Sequence, residues 1–360
     1  MPKIILVTGA AGFIGSNFVE IALQKGYSVV GYDALTYAGH VENLESFVDN
    51  PQFKFVKANI LDTATFAKTL VDHQVDWVAH FAAESHVDKS ISGPGAFIET
   101  NVNGTFSLLS AAREYYQKLS DSKKNGFRFL HVSTDEVFGT LGATGKFTET
   151  TPYQPNSPYS ASKASSDLLV RAWFHTYGLP TIITNCSNNY GPKQFPEKLI
   201  PHMIFCALQG KTLPVYGNGE NIRDWIQVKD HAAGALLALE KGIPGETYCF
   251  GGNSERTNLD VVRALCKILD GLTPRQDQKS YDTLISFVTD RPGHDFRYAI
   301  DDTKAQKDLG FSRKFGKFED GLLETVKWYL SHLEWSKQVT SKPGVKVTYD
   351  WSALSRNVFK

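Results

Sequence analysis

The first half of the chain alternates short runs rich in β-branched and aromatic residues with longer segments of helical pattern. The predicted strands are residues 3–7, 27–32, 53–56, 77–81, 129–132 and 181–186, and the predicted helices are residues 15–24, 96–118 and 158–177. Such alternation is typical of βαβ units, whose strands pair in parallel. The sequence therefore predicts an α/β fold built on a doubly wound parallel sheet.

The second half is less regular. The chain has 360 residues, which favours two structural units, and after Gly191-Pro192 prolines interrupt the alternation. We expect a Rossmann-type domain, a smaller α/β region that binds substrate and a C-terminal extension at the surface, comprising residues 1–186, residues 187–224 with 256–330, and residues 331–360. Strand patterns at 225–228 and 247–250 predict that about 225–255 rejoins the first sheet.

The composition is that of an ordinary globular protein. Hydrophobic residues make up 42% and charged residues 21%, which excludes a disordered chain. Lys+Arg 38 balance Asp+Glu 38, so a broad basic surface for nucleic acid or an anionic membrane is disfavoured. The apolar runs are too short to span a bilayer, and the cysteines show neither a CxxC pair nor a zinc pattern. We expect a cytoplasmic protein with no nucleic-acid, membrane or metal partner.

Gly9, Gly12 and Gly15 lie between the first predicted strand and the first helix in GxxGxxG spacing. Glycines let the backbone approach a pyrophosphate, which the free N–H groups of a helix N-terminus then bind. Asp33 ends the second strand, where a carboxylate accepts hydrogen bonds from the adenosine ribose and repels a 2′-phosphate. The motif predicts NAD rather than NADP, the alternative being a glycine-rich turn with a solvated aspartate.

Tyr159 and Lys163 form a YxxxK pair on the predicted helix that begins at Pro158. Four-residue spacing places both side chains on one helical face. An ammonium beside a phenol lowers the phenol pKa, which yields a base that can take a proton from an alcohol. A surface Tyr/Lys pair is the alternative, but the position after a dinucleotide motif favours catalysis.

Thr134, Asp135 and Glu136 follow one another where the fifth predicted strand ends. Ligands of open α/β sheets bind beyond the carboxyl ends of the strands, so Thr134 is placed to hydrogen-bond a substrate oxygen. In a helical turn the two acidic side chains diverge by about 100° and can reach neighbouring substrate carbons. One can serve as acid and the other as base if their surroundings separate their pKa values. A solvated acidic turn is the alternative.

Taken together, these motifs resemble those of the extended short-chain dehydrogenase/reductases, and specifically the dTDP-glucose 4,6-dehydratases. The resemblance covers residues 3 to about 330, and its segments are 8–15, 82–88, 133–139, 157–163, 188–192, 195–201, 221–225 and 290–295. The Asp135–Glu136 pair is its specific element, since sugar-nucleotide epimerases of the superfamily lack it there. Phe138 stands where the family usually has tyrosine, which touches no catalytic role that we can assign.

The resemblance implies roles for five catalytic residues. Tyr159 would deprotonate the sugar 4-hydroxyl while hydride passes from C4 to NAD, with Thr134 assisting and Lys163 holding the nicotinamide ribose. Glu136 would then remove the C5 proton, and Asp135 would protonate the departing C6 hydroxyl. Return of the hydride to C6 would give a 4-keto-6-deoxy sugar and leave NAD as it began.

The resemblance also implies two sets of binding residues. The cofactor set is Gly9, Gly12, Phe13, Ile14, Gly15, Asp33, Asp62, Ala82, Ala83, Thr100, Tyr159, Lys163 and Asn189. The substrate set is Ser85, Thr134, Asn188, Lys198, Leu199, Arg223, Asn258, Arg291, His294 and Tyr298. Arginine suits this task because its guanidinium binds phosphate oxygens in pairs. A structural salt bridge or helix cap is the alternative for the less specific positions.

Three alternatives to dTDP-glucose dehydration stay open. UDP-glucose is a possible substrate because one methyl group is worth only about 1–3 kcal/mol of discrimination. A 4-epimerase would use the same first oxidation but would not need Asp135 and Glu136. A non-catalytic dinucleotide-sensing protein would not need Thr134, Tyr159 and Lys163 together.

Relatives form homodimers through a four-helix interface, to which the helices predicted at 96–118 and 158–177 would contribute. The apolar face of that interface would contain Phe106, Leu109, Leu168, Leu169 and Trp173. The same side chains could instead pack on their own sheet, so the expected homodimer rests mainly on the resemblance.

Overall fold

The computed structural model describes residues 2–290, 294–342, 345, 347–351 and 354. The strands, in chain order, are β1 (Ile4–Thr8), β2 (Ser28–Asp33), β3 (Phe53–Lys57), β4 (Trp77–His80), β5 (Arg128–Thr134), β6 (Thr181–Cys186), β7 (Asn188–Tyr190), β8 (Leu213–Tyr216), β9 (Ile222–Gln227), β10 (Thr247–Phe250), β11 (Glu255–Thr257) and β12 (Ile285–Val288).

The helices are α1 (Phe13–Gln24), α2 (Thr63–Asp72), α3 (Val87–Ser92), α4 (Gly95–Phe97), α5 (Thr105–Lys118), α6 (Asp121–Gly126), α7 (Pro158–Tyr177), α8 (Leu199–Leu208), α9 (Val228–Lys241), α10 (Asn258–Leu272), α11 (Thr303–Leu309), α12 (Phe318–Ser331) and α13 (Leu333–Thr340). A π-helical stretch, Ile98–Gly104, joins α4 to α5, so the helix predicted at 96–118 is continuous but changes its winding. Among the described residues, no helix is both long and apolar enough to cross a bilayer.

Seven parallel strands form the central sheet, in the order β10-β6-β5-β4-β1-β2-β3. The strand order reverses between β1 and β4, which pair directly, with Val7 opposite Ala79. A crevice opens beyond the carboxyl ends of the strands at such a reversal, and ligands bind there in open α/β sheets. The predicted α/β fold with a doubly wound parallel sheet is confirmed.

The alternation of side chains along β1 explains how helices cover both faces of this sheet. Ile5 and Val7 are fully buried in a core formed with α1 and α9. Leu6 points the other way, into a core formed with α2, α5 and α7. Strands covered on both faces read as continuous apolar runs, which is why the sequence pattern located them.

The smaller region contains a three-stranded sheet, β11-β9-β7, and a two-stranded sheet, β12-β8. The prediction that residues 225–228 rejoin the first sheet is wrong, because β9 pairs with β7 and its Trp225 packs against Tyr190. A short apolar run does not reveal which sheet its strand joins. Residues 247–250 do return to the central sheet, where β10 pairs with β6.

The C-terminal residues make specific contacts with the rest of the chain, although the sequence predicted a surface extension here. The indole Nε1 of Trp335, on α13, donates to Oδ1 of Asn43 over 2.9 Å. Farther along, Tyr349 donates from its hydroxyl to the carbonyl of Pro196 over 2.8 Å, and Leu354 is fully buried. The surface position expected for residues 331–360 is wrong for these residues, because widely spaced side chains hold the segment against the loop after β2 and against the smaller region.

Candidate active site

Two adjoining cavities open beyond the carboxyl ends of the central strands. The first has a volume of about 350 Å³ and follows the glycine-rich turn, the end of β2 and the end of β5. The second has a volume of about 600 Å³ and lies between α8, the small sheets and the C-terminal segment. Both are lined by Ser85, Glu136, Asn188, Asn189 and Lys198. The two cavities therefore form one continuous cleft.

The glycine-rich turn forms one wall of the first cavity. Gly9 has a φ of +70°, and a Cβ atom there would lie 2.7 Å from the backbone nitrogen of Ala82. The helix α1 starts at Phe13, and its N-cap, Gly12, has no side chain that could accept from the free N–H groups. Those groups remain available for an anion at the positive end of the helix dipole.

Asp33 lies at the end of β2 in the same cavity. Its Oδ2 accepts from the backbone N–H of Ala11 over 3.0 Å, and its Oδ1 accepts from that of Leu35 over 2.8 Å. Burial raises the pKa of this carboxyl, and these two hydrogen bonds oppose the rise. A carboxylate has about four lone-pair sites, so Asp33 keeps capacity for ribose hydroxyls.

Tyr159 and Lys163 line the first cavity from the N-terminal half of α7. Ser157 caps this helix through a reciprocal pair of hydrogen bonds with Ser160, which fixes where the helix begins and how both side chains are directed. The ammonium of Lys163 is buried and donates to the carbonyl of Val132 over 2.9 Å.

The expected lowering of the Tyr159 pKa is wrong for this structure. Burial raises the pKa of the phenol well above its ordinary value, and the neighbouring carboxylate of Glu136 adds to the rise. A hydrogen bond from Thr134 acts in the opposite direction. Burial also lowers the pKa of Lys163, whose ammonium is committed to the Val132 carbonyl.

Asp135 and Glu136 leave β5 in a short 3-10 turn, Asp135–Phe138, so the helical geometry expected for the pair is present. The hydroxyl of Thr134 accepts from the backbone N–H of Glu136 and lies 3.3 Å from Oδ1 of Asp135. Asp135 is 1% exposed, and its Oδ2 has no hydrogen-bond partner among the described residues. Burial, with the nearby charges of Glu136 and Asp224, raises the pKa of Asp135 well above its ordinary value.

The second cavity gathers most of the expected substrate set. Lys198, Leu199, Arg223, Asn258 and His294 all line it. The guanidinium of Arg223 donates to the carbonyl of Asp295 over 2.9 Å and lies 4.3 Å from the ring centroid of Tyr298. His294 pairs through Nδ1 with the carboxylate of Asp290 over 2.7 Å. These contacts hold the Arg223 and His294 side chains at the cavity wall.

Two predicted binding residues do not line the cleft, and a third lies outside the described residues. The carboxylate of Asp62 caps α2, accepting from the backbone N–H of Thr65 over 3.0 Å, and lines neither cavity. Tyr298 is buried behind Arg223 and lines neither cavity. Arg291 lies outside the described residues.

Other residues of the cleft were missed. Glu197 and Phe195 line both cavities, although only their neighbours Lys198 and Leu199 were selected from the 195–201 segment. Tyr37 also lines both cavities, from the loop after β2, where the sequence offers no motif. Phe138 packs 5.2 Å from Phe147, ring centroid to ring centroid, and lines neither cavity, so its departure from the family pattern leaves the cleft unchanged.

Comparison with known proteins gives one consistent family. A family model described as GDP-mannose 4,6 dehydratase matches residues 6–325. The dTDP-glucose 4,6-dehydratase of Xanthomonas campestris pv. campestris is 58% identical over 334 residues, which are 93% of this chain and 95% of the relative. The crystal structure of dTDP-glucose 4,6-dehydratase from Bacillus anthracis in complex with NAD has a TM-score of 0.83 and 44% identity, covering 94% of this chain and 99% of that chain.

Similarity of fold extends beyond this family. The crystal structure of UDP-glucose 4-epimerase from Thermotoga maritima has a TM-score of 0.81 but only 29% identity. The match covers 92% of this chain and 100% of that chain. The backbone alone therefore does not separate dehydratases from epimerases, whereas sequence identity does. By that measure the chain belongs to the dTDP-glucose 4,6-dehydratase family.

Proposed function

We propose that this protein is an NAD-dependent hydro-lyase that converts dTDP-glucose to dTDP-4-keto-6-deoxyglucose. The observation that carries the proposal is the Asp135–Glu136 turn, which places one buried and one half-buried carboxyl beside Tyr159 in the same cleft. An epimerase needs no second acid and base for its chemistry. The names of the relatives and of the NAD complex support the same reaction.

The first cavity contains the groups that would bind NAD. The free N–H groups of α1 and the bare backbone at Gly9 fit a pyrophosphate, and the Asp33 carboxylate fits the adenosine ribose. Lys163 would hold the nicotinamide ribose, and Ala82, Ala83, Thr100 and Asn189 would complete the pocket walls. When bound, NAD supplies a hydride acceptor and donor that returns to its starting state. Asp62 enters this set only by resemblance.

Tyr159 is the proposed base for the sugar 4-hydroxyl. Burial raises the pKa of its phenol, so the phenolate that takes the proton must be stabilised within the cleft. The hydrogen bond with Thr134 opposes the rise of the phenol pKa, because it favours the phenolate. Thr134 therefore assists the base.

Elimination of water follows from the two carboxyl groups. The 4-ketone acidifies the C5 hydrogen, which Glu136 removes as a proton to leave an enolate, and the enolate electron pair then forms the C5–C6 double bond. The C6–O bond breaks, and Asp135 donates the proton that makes the leaving hydroxyl water. The raised pKa of Asp135 suits this step, because a carboxyl whose pKa is raised holds its proton to higher pH and can act as an acid.

The second cavity would bind the nucleotide diphosphate. Lys198, Arg223 and His294 bring positive charge or hydrogen-bond donors to its wall, and Asn258 adds an amide. Arg291 and Tyr298 belong to this set by resemblance alone. The two cavities join at Ser85, Asn188 and Glu136, which line both of them. The sugar would lie at this junction.

Proton NMR of the purified protein with dTDP-glucose or UDP-glucose, with and without added NAD, tests this proposal. A new C6 methyl doublet in the dTDP-glucose sample, formed faster than with UDP-glucose, is the expected result. A faster reaction of UDP-glucose would change the assigned nucleotide. Inversion at C4 without a methyl signal would reject the dehydratase and support the epimerase.

We also propose that two copies associate through the exposed face of α5 and α7. Phe106 is 51% exposed and Leu168 is 57% exposed on neighbouring helices, and the ring of Phe106 lies 5.8 Å from that of Trp173. Leu109, expected in the same face, is instead fully buried in the core beneath it, and Leu169 and Trp173 are partly packed there. The apolar face is therefore smaller than expected.

A cytoplasmic location is supported by four buried, unpaired cysteine thiols.

A further inference from the structure

A cluster of buried polar side chains lies behind Lys163, on the side away from the cleft. Asp167 follows Lys163 by four residues on α7, as Lys163 follows Tyr159, so the three share one helical face. His131 extends toward them from β5. Asp167 and His131 are 1% and 0% exposed, and neither lines the two cavities. The proposed reaction assigns no task to either residue.

Asp167 is held in place from three sides. Its Oδ2 accepts from the hydroxyl of Ser133 over 2.8 Å and from the amide of Asn185 over 3.4 Å. Its Oδ1 lies 3.0 Å from Nε2 of His131. These contacts fix the position of the carboxylate, because β5 and β6 supply them and the central sheet fixes both strands.

His131 lies between this carboxylate and the catalytic ammonium. Its Nε2 is 3.0 Å from Asp167 and 3.5 Å from Nζ of Lys163. The same ammonium donates to the carbonyl of Val132, the next residue of β5. The strand thus places the Val132 carbonyl and the His131 imidazole beside Lys163, and Asp167 lies against the imidazole.

Lys163 and Asp167 each stabilise the charged form of the other. Burial lowers the pKa of Lys163, and Asp167 is the largest influence that opposes this. Burial raises the pKa of Asp167 to about 6, and Lys163 is the largest influence that opposes that rise. Burial pushes the pKa values of His131 and His80 well below their ordinary range, so both imidazoles are neutral at pH 7.

The remaining titratable groups do not replace Asp167 as the counter-charge. Tyr153 is hydrogen-bonded to Asp167, and burial raises the pKa of its phenol, so it is neutral. Cys186 also faces Lys163, and burial raises the pKa of its thiol. Above the pKa of Asp167, the cluster therefore carries one buried positive charge and one buried negative charge.

We propose that Asp167 is a positioning residue which, together with His131, keeps Lys163 a cation and holds it at the Val132 carbonyl. This inference rests on the proposed function, because it concerns the lysine that would bind the nicotinamide ribose. Asp167 acts through Lys163 and touches neither substrate nor reacting atoms. Its chemical contribution is a fixed negative charge in a place that water does not reach.

The test compares D167N with D230N in the protein bound to NAD. Asp230 is another buried carboxylate, which accepts from the backbone N–H groups of Lys314 and Phe315 over 2.8 and 3.0 Å and lines neither cavity. Titration of the Lys163 ammonium by ¹⁵N NMR, assigned with K163M, gives its pKa directly. The alkaline limb of the kcat profile for dTDP-glucose is measured alongside.

We expect D167N to lower the Lys163 pKa by about 1–3 units, as loss of a close opposite charge does, and to shift the alkaline limb of kcat to lower pH. D230N should change neither. A folded D167N with an unchanged Lys163 titration would overturn the proposal. If D167N does not fold, S133A replaces it: loosening Asp167 should shift the titration in the same direction, and no shift would overturn the proposal.

The titration does not depend on turnover, which keeps the two proposals separate. Wild-type protein that binds NAD but forms no methyl product would reject the proposed function, whatever D167N does to the lysine. Active wild-type protein whose Lys163 titration is the same in D167N would reject only the role of Asp167.

Discussion

Asp135 and Glu136 are adjacent in the chain, yet one is almost fully buried and the other is half-buried where the two cavities join. The 3-10 turn after β5 produces this difference, because it directs successive side chains to different sides. Burial raises the pKa of Asp135, which favours its protonated form. The turn therefore supplies an acid and a separate carboxyl group within two residues.

Replacement of these two residues should interrupt the reaction at different steps. D135N should lower the rate of dehydration by about 10²- to 10⁴-fold, since it removes a general acid, while Glu136 still exchanges the C5 hydrogen with solvent. E136Q should abolish both exchange and dehydration. NMR of the sugar in D₂O measures both. Equal loss of C5 exchange in D135N and E136Q would contradict the separate roles.

D33N should weaken NAD binding without changing the fold. A hydrogen bond to a charged group is worth about 1.5–3 kcal/mol, so the affinity should fall about 10- to 100-fold, while NADP should bind relatively better. Calorimetric titration of cofactor-stripped protein gives both affinities. The control is D72N, at an exposed carboxylate that ends α2. Unchanged NAD affinity in D33N would remove Asp33 from the cofactor site.

The homodimer should depend on the α5–α7 face. The double variant Phe106→Glu with Leu168→Glu places charge on both exposed apolar positions and should be monomeric by light scattering after gel filtration. Val48→Glu should remain dimeric, because Val48 is 67% exposed but lies outside this face. A monomeric wild type, or a dimeric double variant, would contradict the proposed interface.

Acid should destabilise the protein partly through His40. Burial lowers the pKa of this imidazole to about 4, and the ammonium of Lys342 adds to the effect, whereas the unfolded chain has a pKa of about 6.5. The unfolded state therefore binds a proton first as the pH falls, and His40 costs about 2 kcal/mol of stability between pH 7 and pH 5.

Urea unfolding of wild type and His40→Gln at both pH values tests the role of His40. The loss of unfolding free energy between pH 7 and pH 5 should be smaller in the variant by about 2 kcal/mol. An equal loss in both proteins would show that other groups cause the acid sensitivity.

Local patterns predicted the parts of the site that depend on neighbours in sequence. The glycine turn and the spacing of Tyr159 and Lys163 follow from the geometry of one βα junction and one helix, so the sequence was sufficient. The turn that carries Asp135 and Glu136 was expected for the same reason.

Features that depend on distant parts of the chain were not predictable in this way. The membership of β9 in a small sheet depends on β7, and the anchoring of Trp335 depends on Asn43, 292 residues away. The contact of Asp167 with His131 requires α7 to pack on β5. The raised pKa of Tyr159 likewise follows from burial, which a spacing of four residues does not reveal.

The central claim is that hydride leaves C4 of the sugar and returns to C6 after water is lost. The most direct measurement is the reaction of dTDP-glucose carrying deuterium at C4, followed by NMR and mass spectrometry of the product. The account predicts that the deuterium appears in the C6 methyl group, with a hydrogen from solvent at C5. Deuterium retained at C4 of an inverted sugar, or lost to solvent, would contradict it.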